Sequence, residues 1–160
     1  HDIHSAHWLV GEEIVEVYTR HIPHAVDRHE TCRLLVLHLT FRSGALGIVQ
    51  VNSDSGYGYE VAVEITGASG QITTSPAARP LVRNRGGLTQ AIDTHFLDRF
   101  GEAYVREAQS WVAGLPSASG PTAWDGYTSL IVADACKRSF RSGAPESVSV
   151  PDRPDLYASR

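Results

Sequence analysis

Apolar residues recur along the chain with two different periods, and the places where the period changes divide it into predicted elements. Ile3, His7 and Val10 fall at helical spacing with Trp8 and Leu9 adding bulk, and Gly11 is predicted to stop that helix. Ile14–His21 then alternates Ile14, Glu16 and Tyr18 against Val15, Val17 and Thr19, a strand pattern rich in β-branched residues. Ile22–Thr31, with a proline and several polar residues, is predicted as a loop. Arg33–Phe41 and Leu46–Asn52 are predicted strands joined by the turn Arg42-Ser43-Gly44-Ala45. Leu35, Leu37, Leu39 and Phe41 line one face of the first, and Leu34, Val36, His38 and Thr40 line the other. A hairpin is predicted from Tyr59–Thr66 and Gln71–Thr74 around Gly67–Gly70, and another from Leu81–Arg85 and Leu88–Ile92 around Gly86-Gly87.

Beyond this point the period becomes helical. Phe96, Phe100, Ala103, Tyr104, Ala108, Trp111 and Val112 define an amphipathic helix over Thr94–Leu115, with Thr94 as its expected N-cap. A Ser/Gly/Pro linker, Pro116–Pro121, leads to a second helix, Thr122–Ser142, ending at Gly143. Ser147–Val150 is a candidate edge strand, and the tail from Pro151 is polar. Strands in one block and helices in another predict an α+β fold: an open, mostly antiparallel β-sheet covered on one face by helices. The outer face, expected to carry Ala62 and Glu64 beside Val36 and Val49, is more apolar than a face left to water, so a sheet-face contact between copies of the chain is expected.

Composition narrows the functional classes. At 160 residues the chain has the length of one domain, with 42% hydrophobic and 20% charged residues, values of a globular protein. A net charge of -4 without any Lys/Arg run gives no electrostatic reason to bind nucleic acid. The longest apolar runs, such as Leu34–Leu37, are far short of the ~20 residues of a membrane span. Cys32 and Cys136, far apart in apolar sequence, are expected to be buried free thiols, which fits a cytoplasmic address. The chain opens at His1, inside a predicted helix and without initiator methionine, and is expected to be part of a longer polypeptide.

Three places carry candidate chemistry. His1 and His4 share a helical face and could converge on one ligand, but no further ligand of matched spacing accompanies them, so no metal site is expected. A neutral imidazole is nonetheless the group that removing a proton from a sugar hydroxyl requires, and spacing alone does not decide between that role and a structural one for His1. Tyr57-Gly58-Tyr59-Glu60 opens a predicted strand; its phenols could hydrogen-bond a polyol, although physics alone favours packing. Trp124-Asp125-Gly126-Tyr127, in the first turn of a helix, is best explained as a capped and packed helix start. His21, His24 and His29 are assigned to a solvated loop. No Gly-x-Gly-x-x-Gly follows a strand and no Gly-x-Ser-x-Gly occurs, so the residues supply neither a dinucleotide cradle nor a hydrolase nucleophile elbow.

Taken together, these places resemble the C-terminal domain of the glucose–fructose oxidoreductase/inositol dehydrogenase/MocA family over essentially the whole chain. The likeness rests on His1-Asp2-Ile3 with Trp8-Leu9-Val10, on Tyr57-Gly58-Tyr59-Glu60 followed by Val63–Gly67, and on Arg99-Phe100 with Ala103-Tyr104 and Glu107. It extends through Gly120–Tyr127 with Asp134-Ala135-Cys136 to Pro154-Asp155-Leu156-Tyr157. The resemblance implies hydride transfer from a ring carbinol, that of myo-inositol or a related cyclitol or sugar, to NAD, giving a ketone. It implies that His1 is the catalytic base, that Tyr59 faces the polyol and that Tyr104 lies near the nicotinamide. The aspartate and lysine that partner this histidine in the family would fall before His1, as would the nucleotide-binding Rossmann domain. Residues 1–160 would then be the substrate-binding and oligomerisation domain of a homo-oligomer, a tetramer in the family. At His4 the family usually has aspartate, which puts the substrate preference in question.

Overall fold

The computed structural model describes residues 1–23, 32–53, 55–74, 80–115 and 120–158. In chain order the elements begin with α1 (Asp2–Val10), β1 (Ile14–Pro23), β2 (Cys32–Phe41) and β3 (Leu46–Asn52). Two hairpins follow, β4 (Glu64–Gly67) with β5 (Gly70–Thr73) and β6 (Leu81–Asn84) with β7 (Gly87–Gln90). Then come α2 (Phe96–Ala113), α3 (Ala123–Ser142), β8 (Glu146–Ser147) and α4 (Asp155–Ala158). The chain divides into two compact units, His1–Asp54 with Gly120–Arg160, and Ser55–Ser119.

The first unit is an antiparallel four-stranded sheet in the order β3-β2-β1-β8. Leu37, Leu39 and Phe41 all point to the covered face, as their alternation predicts. They meet a stripe on α3 formed by Val132, Ala135 and Cys136, with Ser139 one turn on. Ile3 and Ala6 of α1 close over the same core, in place of the predicted Ile3, His7 and Val10 face; Val10 is exposed. Gly47, opposite Leu39, leaves room for the Phe41 ring: a Cβ there would meet Phe41 Cε2 at 3.1 Å.

The pairing departs from simple alternation at one point. Ile14 pairs with Phe41 and Glu16 with Thr40, so Val15 is an extra residue, a β-bulge. The bulge turns Ile14 onto the covered face with Val17 and Thr19, whereas alternation groups it with Glu16 and Tyr18. Val15 uses its carbonyl to accept the Val148 N–H at 2.8 Å, where the returning chain joins the sheet edge. Beyond β8 the N–H of Thr19 donates to Ser139 Oγ at 2.9 Å, and that hydroxyl donates to the Ala144 carbonyl at 2.6 Å. One buried serine thus replaces a missing strand as the partner of β1. Cys136 is a buried free thiol; burial pushes it above its ordinary value more strongly than the Thr19 hydroxyl pulls it down.

Several boundaries differ from expectation. β1 runs on to Pro23, past the predicted end at His21, and the His21 ring stacks on Phe140 at 3.9 Å where a solvated histidine was expected. His24 and His29 lie outside the described residues, as do most of the predicted loop and of the linker Pro116–Pro121. Val49 pairs with Leu37 and packs on the covered face, while Ala62 and Glu64 belong to the second unit. The outer face of the four-stranded sheet instead carries Tyr18, Leu34, Val36 and His38, with Leu46 and Ile48 80% and 69% exposed. The polar tail contains the short helix α4, whose Tyr157 stacks on Trp124 at 6.3 Å. Among the described residues no helix is long and apolar enough to cross a membrane.

Candidate functional site

In the second unit, Tyr57–Glu60 is not the start of a strand; pairing begins only at Glu64. The segment instead lies against the backbone just before α2. The N–H of Tyr59 donates to the Asp93 carbonyl at 2.6 Å. α2 then starts at Phe96, capped by the ring of His95, whose Nδ1 accepts the Leu97 N–H at 3.2 Å; the expected cap, Thr94, is one residue too early.

On α2, Phe96, Phe100 and Tyr104 recur every four residues and so share a face. Tyr59 meets Phe96 and Phe100 edge to face, with ring centroids 6.4 and 6.1 Å apart, and Phe96 meets Tyr104 in the same manner at 6.4 Å. The two tyrosines singled out from the sequence are therefore joined through Phe96 into one aromatic wall. Tyr59 is 37% exposed and Tyr104 49%, so both remain accessible. Beside Tyr59 is a cavity of about 150 Å³ bordered by Glu60, Gln90, Ile92, Asp93 and Arg99. Carboxylates, an amide, a guanidinium and a phenol, with Ala91 and Ile92 among them, can hold a small polyhydroxylated molecule. Asp93 and Gln90 carried no warning in the pattern of residues, because they reach the cavity only through the folding of the 91–93 segment against Tyr59.

In the first unit, His1 is exposed at the N-terminus of α1, where its carbonyl accepts the Ser5 N–H at 2.9 Å and its imidazole makes no capping bond. His4, one turn on, is half-buried. At the start of α3, Thr122 and Asp125 form a reciprocal capping box: the Thr122 N–H and hydroxyl donate to Asp125 Oδ2 at 2.6 and 2.7 Å, and the Asp125 N–H donates to Thr122 Oγ1 at 3.4 Å. Partial burial raises the Asp125 carboxyl. The two Thr122 bonds, aided by the charges of His4 and Arg153, outweigh that and hold it below its ordinary 3.8. Trp124 and Tyr127 pack together at 5.4 Å, in line with the capped and packed start expected there. Among the described residues no group of three or more His, Cys, Asp or Glu gathers as a metal site.

The model of the oxidoreductase family C-terminal alpha/beta domain matches residues 1–150. The chain belongs to the glucose–fructose oxidoreductase/inositol dehydrogenase/MocA family. Inositol 2-dehydrogenase of Rubrobacter xylanophilus is 45% identical over 161 residues, which cover 98% of this chain and 46% of that protein. Inositol 2-dehydrogenase 2 of Saccharopolyspora erythraea is 38% identical, over 99% of this chain and 48% of that protein. Among solved structures, myo-inositol dehydrogenase from Lactobacillus casei in complex with NAD(H) and myo-inositol is similar with a TM-score of 0.86 at 28% identity, over 98% of this chain and 48% of its own. The chain spans about half the length of the curated relatives it matches. Family members are thus oxidoreductases, and the α+β architecture with an open antiparallel sheet is the family's C-terminal fold.

Proposed function

We propose that the chain is the substrate-side half of an NAD-dependent inositol 2-dehydrogenase, oxidising a ring carbinol of myo-inositol to a ketone. The observation that carries this reading is the likeness over 98% of the chain to an enzyme solved with NAD(H) and myo-inositol. The aromatic wall and polar cavity around Tyr59 support it. In this reading Tyr59 faces the polyol and Tyr104 borders the nicotinamide. The imidazole of His1 takes the proton from the hydroxyl oxygen of the reacting carbinol as general base. The residues here fit one end of the cofactor: Tyr104 offers half-exposed aromatic surface to a flat ring, while no glycine-rich loop serves the phosphates. When bound, NAD supplies the hydride acceptor. Its phosphates would be held by a nucleotide-binding domain preceding this one.

The exposed Leu46 and Ile48 on the outer sheet face support a homo-oligomer formed through that face, a tetramer as in the family. A cytoplasmic enzyme of inositol catabolism is the matching setting. His4, in place of the family's aspartate, favours a second reading in which another cyclitol or an aldose is oxidised. The test is NAD reduction, followed by absorbance, by the complete protein containing this chain against myo-inositol and a panel of cyclitols and aldoses. Turnover with myo-inositol is expected, and His1→Gln should lower kcat about 10²- to 10³-fold. No turnover with any polyol would overturn the reading.

A further inference from the structure

We propose that Gly58 is a positioning residue for the polyol, acting through Tyr59. This rests on the reading of Tyr59 as a polyol-facing residue in the proposed dehydrogenase.

Gly58 has φ of +143°, a conformation that residues with a side chain rarely adopt. It is also pressed against its neighbours. A Cβ at this position would stand 2.7 Å from Ile92 Cγ2, 2.8 Å from the Asp93 carbonyl oxygen and 3.4 Å from Ile92 Cβ. The second of these contacts is backbone and cannot swing away. It involves the same carbonyl that accepts the Tyr59 N–H at 2.6 Å. Absence of a side chain at Gly58 is therefore what lets the Tyr57–Tyr59 segment lie close enough for that bond to form.

The consequence falls on Tyr59. Its backbone is tied to Asp93, and its ring is held edge-on by Phe96 and Phe100 from the first turns of α2, three residues beyond Asp93. Backbone and ring are thus referred to one short stretch of chain. Making room for a methyl group would lift the strap and move the phenol relative to the cavity whose wall it forms. Displacements of about 1 Å in a binding group are enough to cost large factors in activity.

The experiment uses the complete dehydrogenase containing this chain, as wild type, Gly58→Ala, Tyr59→Phe and the double variant, with KM and kcat measured for myo-inositol at saturating NAD. Gly58→Ala is expected to raise the polyol KM about tenfold, leaving the KM for NAD within about twofold. Tyr59→Phe should raise it comparably. In the double variant the polyol KM should stay within about twofold of the worse single variant, because a missing hydroxyl cannot be misplaced. A merely structural role for Gly58 would instead multiply the two effects in full, and that result overturns the proposal, as does a wild-type polyol KM in Gly58→Ala. Should Gly58→Ala not fold, the cycle is run in an Ile92→Ala background, which removes the side chain a methyl at Gly58 would meet, and is read against Ile92→Ala alone with the same outcomes. An unchanged polyol KM in Tyr59→Phe would remove the role of Tyr59 itself, and the proposal with it. A wild type that reduces NAD with no polyol would instead defeat the dehydrogenase reading.

Discussion

The two units of the chain are held together in different ways. The first has a conventional core, in which Phe41, Leu39 and Val17 are almost completely withdrawn from water beneath α3. The second has no buried hydrophobic residue among those described: its hairpins are exposed except for a half-buried Ile65 in β4, and α2 buries none of its 18 residues. What orders the second unit is local, a strap at Gly58, a ring cap at His95 and edge-to-face aromatic contacts around Tyr59. The difference teaches that the hydrophobic gain is concentrated in the first unit, while the aromatic wall around Tyr59 in the second is held by local contacts. Removing apolar surface from water contributes roughly 1.5–3 kcal/mol per large side chain, and the first unit collects that gain. In the second, Tyr59 and Tyr104 stay partly exposed, while Asp93 is buried.

This contrast can be broken or sharpened by substitution, starting with the largest effect. Phe41→Ala should destabilise the chain by about 3–5 kcal/mol in urea unfolding, since the ring fills the space above Gly47 and no neighbour can replace it. Ser139→Ala should cost about 1–3 kcal/mol, because the Thr19 N–H and the Ala144 carbonyl both lose their buried partner. Thr122→Ala, which dismantles the capping box, should cost about 1 kcal/mol.

The contribution of Asp125 should also depend on pH. Its carboxyl is lowered in the folded chain, so the stabilisation is complete above its unfolded value and is lost as pH falls through the lower folded one. Denaturant midpoints between pH 5 and 2 should therefore fall more steeply for wild type than for Asp125→Asn. Val105→Ala, on the exposed part of α2, should change stability by no more than about 0.5 kcal/mol. A loss as large as that of Phe41→Ala at Val105 would show that the second unit has a core of its own and would end the comparison.

Much of the first unit was legible in the residues. The helix closed by Gly11, the β2–β3 hairpin and its inward-facing Leu37, Leu39 and Phe41, and the long helix from Thr122 to Gly143 all follow from period and caps. The grouping of Ile14 was misread because a bulge adds one residue to the count, and only pairing with β2 reveals it. The hairpins in the second unit were legible from their glycines, but the Tyr57–Glu60 segment was not. Its alternation suits a strand, and among the described residues no neighbouring strand pairs with it. His95 was passed over as a cap because a ring nitrogen accepts the capping bond where a hydroxyl was expected.

The same division holds for the candidate site. The motifs that hold His1, Tyr59, Tyr104 and the Gly120–Tyr127 run were enough, without coordinates, to see the resemblance to the family that the match over residues 1–150 bears out. Only the tertiary structure decided that Tyr59 and Tyr104 share one wall through Phe96, and that Gln90, Asp93 and Arg99 border the cavity beside it. The physical reason is that periodicity reports which side of its own element a residue occupies. Contacts such as those between Tyr59 and Asp93, or Tyr59 and Phe96, depend on how chain segments close on one another, and local pattern carries no record of that.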